Sequence, residues 1–152
     1  MYTTILIGGI VLLAYLYFKY KKGITEEFLI ALLISYVWVK GSGIYVGYTQ
    51  LNHCLFGVNL FPFVAWVTGL VILREIYERA KGKDKFLRIS IFYIIAVLVL
   101  EFIGYNYWGI QLTSNYPGLF GFELMHMPWF GKLYYLTIGP IYLKITDKMR
   151  VK

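Results

Sequence analysis

Apolar residues run along this chain in five long stretches, and polar residues gather in the short segments between them. The stretches cover about residues 4–18, 28–48, 61–77, 89–105 and 129–145. Runs of this kind cross roughly 30 Å of hydrocarbon as α-helices, and they lack the polar positions that would give a helix a water-facing side. The pattern predicts an all-α protein: a polytopic membrane helix bundle of five transmembrane helices, in one domain over residues 1–152.

The composition favours the same class. Hydrophobic residues make up 59% of the chain and aromatic residues 20%, and a soluble domain of 152 residues would leave too much of this apolar surface in water. We therefore predict a multi-pass protein of the cell membrane. Its single cysteine, Cys54, excludes an intrachain disulfide and a cysteine-pair zinc or redox site. We predict no metal site, and the sequence names no cofactor.

Positive charges are distributed unevenly among the segments between the stretches. Of the 15 Lys and Arg residues, all but Lys40 and Lys132 fall at alternate ends of the five stretches. Because such residues concentrate in cytoplasmic loops, the N-terminus is predicted outside and the C-terminus in the cytoplasm. Contact with the anionic cytoplasmic leaflet accounts for the net charge of +7, so nucleic acid is not a predicted partner.

The segments after the second and fourth stretches share short matches in the same order. The matches are residues 47–51 with 109–112, Leu-Phe-Gly at 55–57 with Leu-Phe-Gly at 119–121, and Pro62 with Pro128. A duplicated helical hairpin would produce such matches, and a site would then be expected between the two halves on the outer side. Chance is the alternative, because the matches are short and the chain is rich in Leu, Gly and Phe.

Two ionisable residues lie within the apolar stretches. Glu101 follows the run Ile94–Leu100, where a carboxyl group is costly unless it faces a cavity, has a partner or is protonated. We predict a catalytic role, with a structural anchor at the headgroup level as the alternative. Lys40 lies too deep to reach water easily and is predicted to be the electrostatic partner of Glu101. A structural ion pair and a working acid/base pair predict the same sequence.

A second polar group is predicted on the outer side. Glu123 and His126 are three residues apart, and on a helical turn they would share one face as an acid/base couple. A satisfied interfacial polar pair is the alternative, and a metal site would need more ligands. The substrate-binding candidates on the same side are Asn52, His53, Asn59, Asn106 and Trp108.

Three sequence elements in the last third of the chain suggest a family. They are Asn-Tyr-Trp at 106–108, Gly-Leu-Phe-Gly at 118–121, and Met-Pro at 127–128 before the last apolar stretch. In this region the chain resembles the integral-membrane lycopene cyclase domain and related carotenoid-pathway membrane proteins. That family has two glutamates after the proline, where this chain has Trp129 and Phe130. The resemblance implies short helices around an apolar, aromatic-lined cavity with carboxylates able to protonate a polyene, but not cyclase activity itself.

These observations favour a small membrane enzyme that acts on a lipid or isoprenoid. Its reaction would be of the isomerase, cyclase or hydratase type, with Glu101, Glu123 and His126 as acid/base groups and Lys40 as electrostatic partner. Two other classes stay open: a non-catalytic membrane subunit or assembly partner, and a small carrier or channel, which would need to oligomerise. The predicted partners are membrane lipids, together with a second copy of the chain or another membrane protein.

Overall fold

The computed structural model describes residues 2–19, 25–47, 54–110 and 116–150. Most of these residues form five α-helices, which agrees with the predicted all-α class. The helices are α1 (Tyr2–Lys19), α2 (Thr25–Gly41), α3 (Leu60–Arg79), α4 (Lys85–Asn106) and α5 (Trp129–Arg150). The fifth helix continues past the predicted end at residue 145, as far as Arg150.

The second helix ends earlier than its apolar pattern predicts. It stops at Gly41 rather than near residue 48, and a short 3-10 turn follows at Ile44–Gly47. Gly43 has a φ of 65°, a conformation that costs glycine little and ends the helix. Because the chain turns here, Tyr45 leaves the helix and its hydroxyl reaches Tyr135 of α5.

A two-stranded hairpin that the apolar pattern did not predict precedes α3. Its strands, β1 (Cys54–Leu55) and β2 (Val58–Asn59), are antiparallel, with Leu55 opposite Val58. Phe56 and Gly57 between them have φ values of 52° and 75°, and two positive φ values identify a type I′ turn. The hairpin ends directly at the first residue of α3.

Helix α3 is central to the bundle and contacts each of the other four helices. Its buried face includes Val67 and Leu70, which pack in one apolar cluster with Tyr142 and Leu143 of α5. The four helices around α3 shield this face from solvent. This arrangement leaves the outward faces of α1, α2 and α4 with many exposed apolar side chains.

An ion-pair cluster around Arg74 holds one end of the bundle. The Arg74 side chain is 5% exposed, and its Nε lies 3.1 Å from Glu27 and 3.0 Å from Glu78. Its Nη1 lies 2.6 Å from Asp147. A buried charge is tolerated when it is paired, and here the partners come from three helices. The start of α2 and the ends of α3 and α5 therefore lie together, at what we call the basic end.

Two helices in the described part of the chain are long and apolar enough to cross a membrane, judged by length and composition alone. They are α3 and α4. The core helix of a soluble protein passes the same test when it is buried. In α3, 50% of the most apolar 18-residue stretch is buried, whereas in α4 only 11% is. The five-helix topology and its orientation stay predictions.

Candidate functional site

A groove-shaped cavity of about 500 Å³ lies among helices α1, α3, α4 and α5. One wall is α3 from Phe61 to Ile76, and the facing wall is α4 from Phe92 onward, continuing to Ile110. Apolar and aromatic side chains form most of the surface. The polar side chains that line it include Thr68, Glu101 and Tyr135.

Glu101 is the charged residue of this lining. It is half-buried on α4, in the second-last turn of the helix, and its carboxyl group is hydrogen-bonded to the hydroxyl of Tyr135. Tyr135 belongs to α5, so this contact joins two helices across the polar end of the groove. The structure therefore places the residue that the sequence singled out at the wall of a cavity.

The hydroxyl of Tyr45 is the centre of a buried hydrogen-bond network. The indole nitrogen of Trp38 donates to it over 2.8 Å, and that of Trp66 over 3.1 Å. The hydroxyl of Tyr135 lies 2.7 Å away. Four aromatic residues from α2, the 3-10 turn, α3 and α5 thus meet at one oxygen.

The number of donors gives this network a direction. A phenolic oxygen has one hydrogen to donate and two lone pairs to accept with, and an indole nitrogen only donates. The two indoles occupy both lone pairs of Tyr45, so Tyr45 donates its hydrogen to Tyr135. Tyr135 then donates its own hydrogen to Glu101. The hydrogen bonds therefore run from the indoles through two hydroxyls to the carboxyl group on the groove wall.

The rings of the network are held in place by packing. Trp38 stacks on Tyr134 with centroids 3.7 Å apart, and Trp66 stands perpendicular to Tyr135 at 4.6 Å. Tyr93 of α4 donates its hydroxyl hydrogen to the backbone carbonyl of Tyr135 over 2.7 Å. Rings fixed from several sides keep the donor to Glu101 in one position.

Lys40 does not have the position that its proposed pairing with Glu101 requires. Because α2 ends at Gly41, Lys40 lies in the last turn and is exposed. Its Nζ donates to the hydroxyl of Tyr36 over 2.9 Å. Glu101 instead has Tyr135 as its partner. The predicted pairing of Lys40 with Glu101 is therefore wrong. The partner of Lys40 is Tyr36, which lies one helical turn earlier on the same helix.

Glu123 and His126 meet as their spacing suggested, but not on a helix. The segment between the 3-10 turn Leu119–Gly121 and α5 is irregular, and Met125 has a φ of 53°. His126 Nε2 lies 3.1 Å from Glu123 Oε2, without the angle of a hydrogen bond. The other ring nitrogen, Nδ1, lies 3.0 Å from the Tyr116 carbonyl, which can only accept, so Nδ1 carries a hydrogen.

This histidine also contacts the wall of the groove. Its ring stacks on Tyr105 with centroids 4.1 Å apart and planes within 5°, and Tyr105 lines the cavity one turn after Glu101. The Glu123 side chain is 68% exposed. The couple therefore lies behind Tyr105, at the end of the groove remote from Arg74, which we call the groove mouth, while Glu101 lines the groove itself.

Of the predicted substrate-binding residues that the structure describes, one lines the groove and two have structural contacts. Asn52 and His53 lie outside the described residues. Asn59 is buried and caps α3, since its Oδ1 accepts from the backbone of Phe61 over 3.2 Å. Asn106 donates to the carbonyls of Phe102 and Glu123, which ties the end of α4 to the loop. Trp108 lines the groove.

The residues that sequence reasoning missed are the aromatic ones that carry the network. Trp38, Tyr45, Trp66 and Tyr135 lie in apolar stretches and were counted as hydrophobic. The available signal was their polar tip, because a buried indole or phenol group normally finds a hydrogen-bond partner.

No group of three or more His, Cys, Asp and Glu side chains suited to a metal ion occurs within residues 2–19, 25–47, 54–110 and 116–150. Comparison of the chain with protein families, with curated proteins and with solved structures finds no match. The resemblance to lycopene cyclases is therefore neither supported nor opposed by a relative.

Proposed function

We propose that this protein is a membrane-embedded enzyme that acts on a lipid or isoprenoid by acid/base chemistry at Glu101. The observation that carries the proposal is the directed hydrogen-bond chain that ends at this carboxyl group on the wall of an apolar groove. An apolar groove suits a water-insoluble substrate, and the Glu101 carboxyl group can exchange a proton with a substrate bound there.

The location in a membrane is supported by exposed apolar side chains. On α2, Leu29, Leu33 and Val37 are 57%, 63% and 60% exposed and form one stripe at i, i+4 spacing. On α4, the exposed residues include Ile95, Val99 and Phe102. A surface this apolar is unfavourable in water and favourable against lipid. In the proposed topology the chain crosses the membrane five times, with the basic end in the cytoplasm and the N-terminus outside.

Glu101 is suited to moving one proton within a single substrate. Tyr135 holds the carboxyl group in place, and Glu101 lines the groove in which the substrate would bind. In an isomerisation the acid gives its proton to one carbon of a double bond, and the carboxylate removes a proton from another carbon. Atoms and charge balance without a second reactant, and Glu101 returns to its starting state.

The first test replaces Glu101 by Gln, which keeps the size and can still accept from Tyr135. We expect the rate of lipid conversion to fall by about 10² or more, while helicity and the thermal unfolding midpoint stay unchanged. The protein is incubated with a membrane lipid extract, and new isomers are identified by mass spectrometry. Glu123→Gln is the matched control, with activity expected near that of the wild type.

A different outcome separates the two sites and the main rival. If Glu123→Gln removes activity and Glu101→Gln does not, the couple at the mouth carries the chemistry. If Glu101→Gln causes loss of assembly with no conversion by the wild type, the protein is a non-catalytic membrane subunit. That second function is favoured by Phe56 and Phe120, which are 87% and 82% exposed at the tips of two loops.

A further inference from the structure

The helices do not enclose the groove on every side. Helix α3 packs against both α1 and α4, and α4 packs in turn against α5, which packs against α2. In the described part of the chain, α1 and α4 have no extensive contact with each other. The groove lies along α3 in the gap between these two helices, with Gly9 of α1 in its lining. We call the side of the groove between α1 and α4 the lateral opening.

The lining residues differ in exposure between the floor of the groove and its edge. On the floor, Leu70 and Tyr135 are 1% and 7% exposed. At the edge, Phe92 and Leu100 of α4 are 49% and 58% exposed, and Ala65 of α3 is exposed as well. The floor therefore lies against the core of the bundle, whereas the edge can be reached from its surface.

The surface on both sides of the lateral opening is apolar. On α4 it includes Ile95 and Val99, and on α1 it includes Ile7 and Val11, all of which are exposed. In the proposed location this surface lies against lipid chains. A water-soluble ligand would have to leave water to reach the lateral opening, whereas a lipid chain is already beside it.

The groove also runs in the direction of the lipid chains. Its α3 wall extends from Phe61 to Ile76, and fifteen residue steps of an α-helix span roughly 22 Å. A helix that crosses a bilayer lies within some tens of degrees of the membrane normal, as lipid chains do. A chain could therefore pass sideways from the bilayer into the groove without turning.

We infer that the groove takes up a hydrocarbon chain of a membrane lipid from the bilayer, through the lateral opening, and that a substrate reaches Glu101 by this route. The inference rests on the proposed function, from which it takes the membrane location and Glu101 as the reacting group. It adds the route of entry, which leads from the lipid phase and not from water at the groove mouth.

Two indoles of the hydrogen-bond network provide a test, because only one of them is in the lining of the groove. Trp66 lines the groove, whereas Trp38 is 9% exposed and does not. Both donate to the Tyr45 hydroxyl, over 3.1 and 2.8 Å respectively. The two indoles therefore lie at a similar depth in the membrane, and they differ in their access to the groove.

The test measures quenching of tryptophan fluorescence by brominated lipid. Trp66 or Trp38 is kept alone in the full chain, with the other tryptophans replaced by Phe, and each protein is reconstituted into phosphatidylcholine vesicles. The vesicles have either dibromostearoyl chains or unbrominated oleoyl chains. Bromine quenches indole emission at short range, so we expect Trp66 to lose about twofold or more of the emission that Trp38 loses.

A second measurement keeps all four tryptophans, in case a single-tryptophan protein does not fold. Ala65→Phe adds a ring at the edge of the groove, beside Trp66. Ala14→Phe is the matched control, because Ala14 is exposed on α1 and does not line the groove. We expect Ala65→Phe to reduce the quenching by about a quarter or more, the share of one tryptophan in four. Ala14→Phe should be quenched like the wild type.

The inference is overturned if the two single-tryptophan proteins are quenched equally, or if Ala65→Phe is quenched like Ala14→Phe. A second copy of the chain that covers the lateral opening would give these results. Quenching needs no turnover, so its failure differs from that of the proposed function. Glu101-dependent conversion without selective quenching of Trp66 would keep the enzyme and refute the route. Selective quenching of Trp66, with conversion unaffected by Glu101→Gln, would keep the route and refute the role of Glu101.

Discussion

Some buried polar side chains in this protein bond to partners that lie far away in the sequence. Tyr45 and Tyr135 are 90 residues apart and exchange one hydrogen bond. The two cations that lie away from the basic clusters also have partners: Lys40 donates to Tyr36, and Lys132 donates to the Pro117 carbonyl over 2.8 Å. At the residue scale, these polar side chains are each matched to a particular partner.

Asp147 makes the Arg74 cluster sensitive to acid. Partial burial raises the pKa of this carboxyl group, but hydrogen bonds from Tyr77 and Arg74 and the charge of Arg74 outweigh the burial, so the pKa lies below its usual range. A carboxyl group with a lowered folded-state pKa stabilises the fold fully above its unfolded pKa, near 3.9. That stabilisation is lost as the pH falls through the folded value.

We therefore predict that Asp147→Asn lowers the free energy of unfolding at neutral pH. The difference in unfolding free energy between this variant and the wild type should become smaller as the pH falls. Thermal unfolding in detergent, followed by circular dichroism from pH 7 to about pH 2, measures both effects. Asp84→Asn is the control, because Asp84 is exposed and makes no capping hydrogen bond. A constant difference between Asp147→Asn and wild type at all pH values would contradict the prediction.

Glycines decide how closely some of the helices approach one another. A Cβ atom on Gly139 of α5 would lie 2.7 Å from ring atoms of Tyr93 on α4. A Cβ atom on Gly9 of α1 would lie 2.9 Å from Val64 on α3. These contacts bring α4 to α5 and α1 to α3, as small residues do in membrane helix packing.

Gly139→Ala is predicted to destabilise the bundle by about 1–3 kcal/mol, because the Tyr93 ring must move and its bond to the Tyr135 carbonyl weakens. Thermal unfolding in detergent measures the effect. Gly69→Ala is the matched control on α3, where an added Cβ meets no atom within 4 Å. Equal effects of the two substitutions would show that helix propensity, and not the close approach, determines the result.

The two Leu-Phe-Gly segments share the same succession of positive φ angles, one in a β-hairpin and the other in a 3-10 turn. Phe56 and Phe120 both have a φ of 52°, and the glycines that follow have φ values of 75° and 83°. The left-handed region is unfavourable for phenylalanine. The two segments therefore share an uncommon conformation in addition to their sequence. It supports the duplicated hairpin, which stays a prediction, with α2 and α3 as one unit and α4 and α5 as the other.

At the scale of the whole molecule, charge and polarity separate along the helices. Arg74 and its carboxylate partners lie at the basic end, and the polar part of the groove lies toward the opposite end. In the proposed topology, the positive-inside rule predicts that the basic end faces the cytoplasm and the groove mouth faces the outer side. This assignment has a direct test, because the chain contains one cysteine, Cys54, and it is exposed.

We predict that a membrane-impermeant maleimide labels Cys54 in intact cells. Cys54 lies in the hairpin before α3, at the end of the bundle opposite Arg74. Lys148→Cys in a Cys54→Ser background is the control, since Lys148 is exposed in the last turns of α5, and it should react only after permeabilisation. The reverse pattern of labelling would invert the topology and move the groove mouth to the cytoplasm.

The sequence by itself determined the helical class and the approximate position of each helix, and it identified Glu101 as the leading candidate for a functional residue. These follow from local properties: apolar periodicity, charge between the runs, and the cost of a carboxyl group among them. The end of α2 at Gly41 and the hairpin at residues 54–59 were missed, because short turns depend on backbone conformations that an apolar average does not detect.

The tertiary structure alone decided which residues meet. The pairing of Lys40 with Glu101 was predicted from their similar depth along the helices. In the structure Lys40 is exposed at the end of α2, and Tyr135 of α5 is the partner of Glu101. The Glu123 and His126 contact was predicted from spacing, yet an irregular loop forms it. The groove and the hydrogen-bond chain through Tyr45 arise from packing between distant segments, and such contacts are fixed only when all the helices are in place.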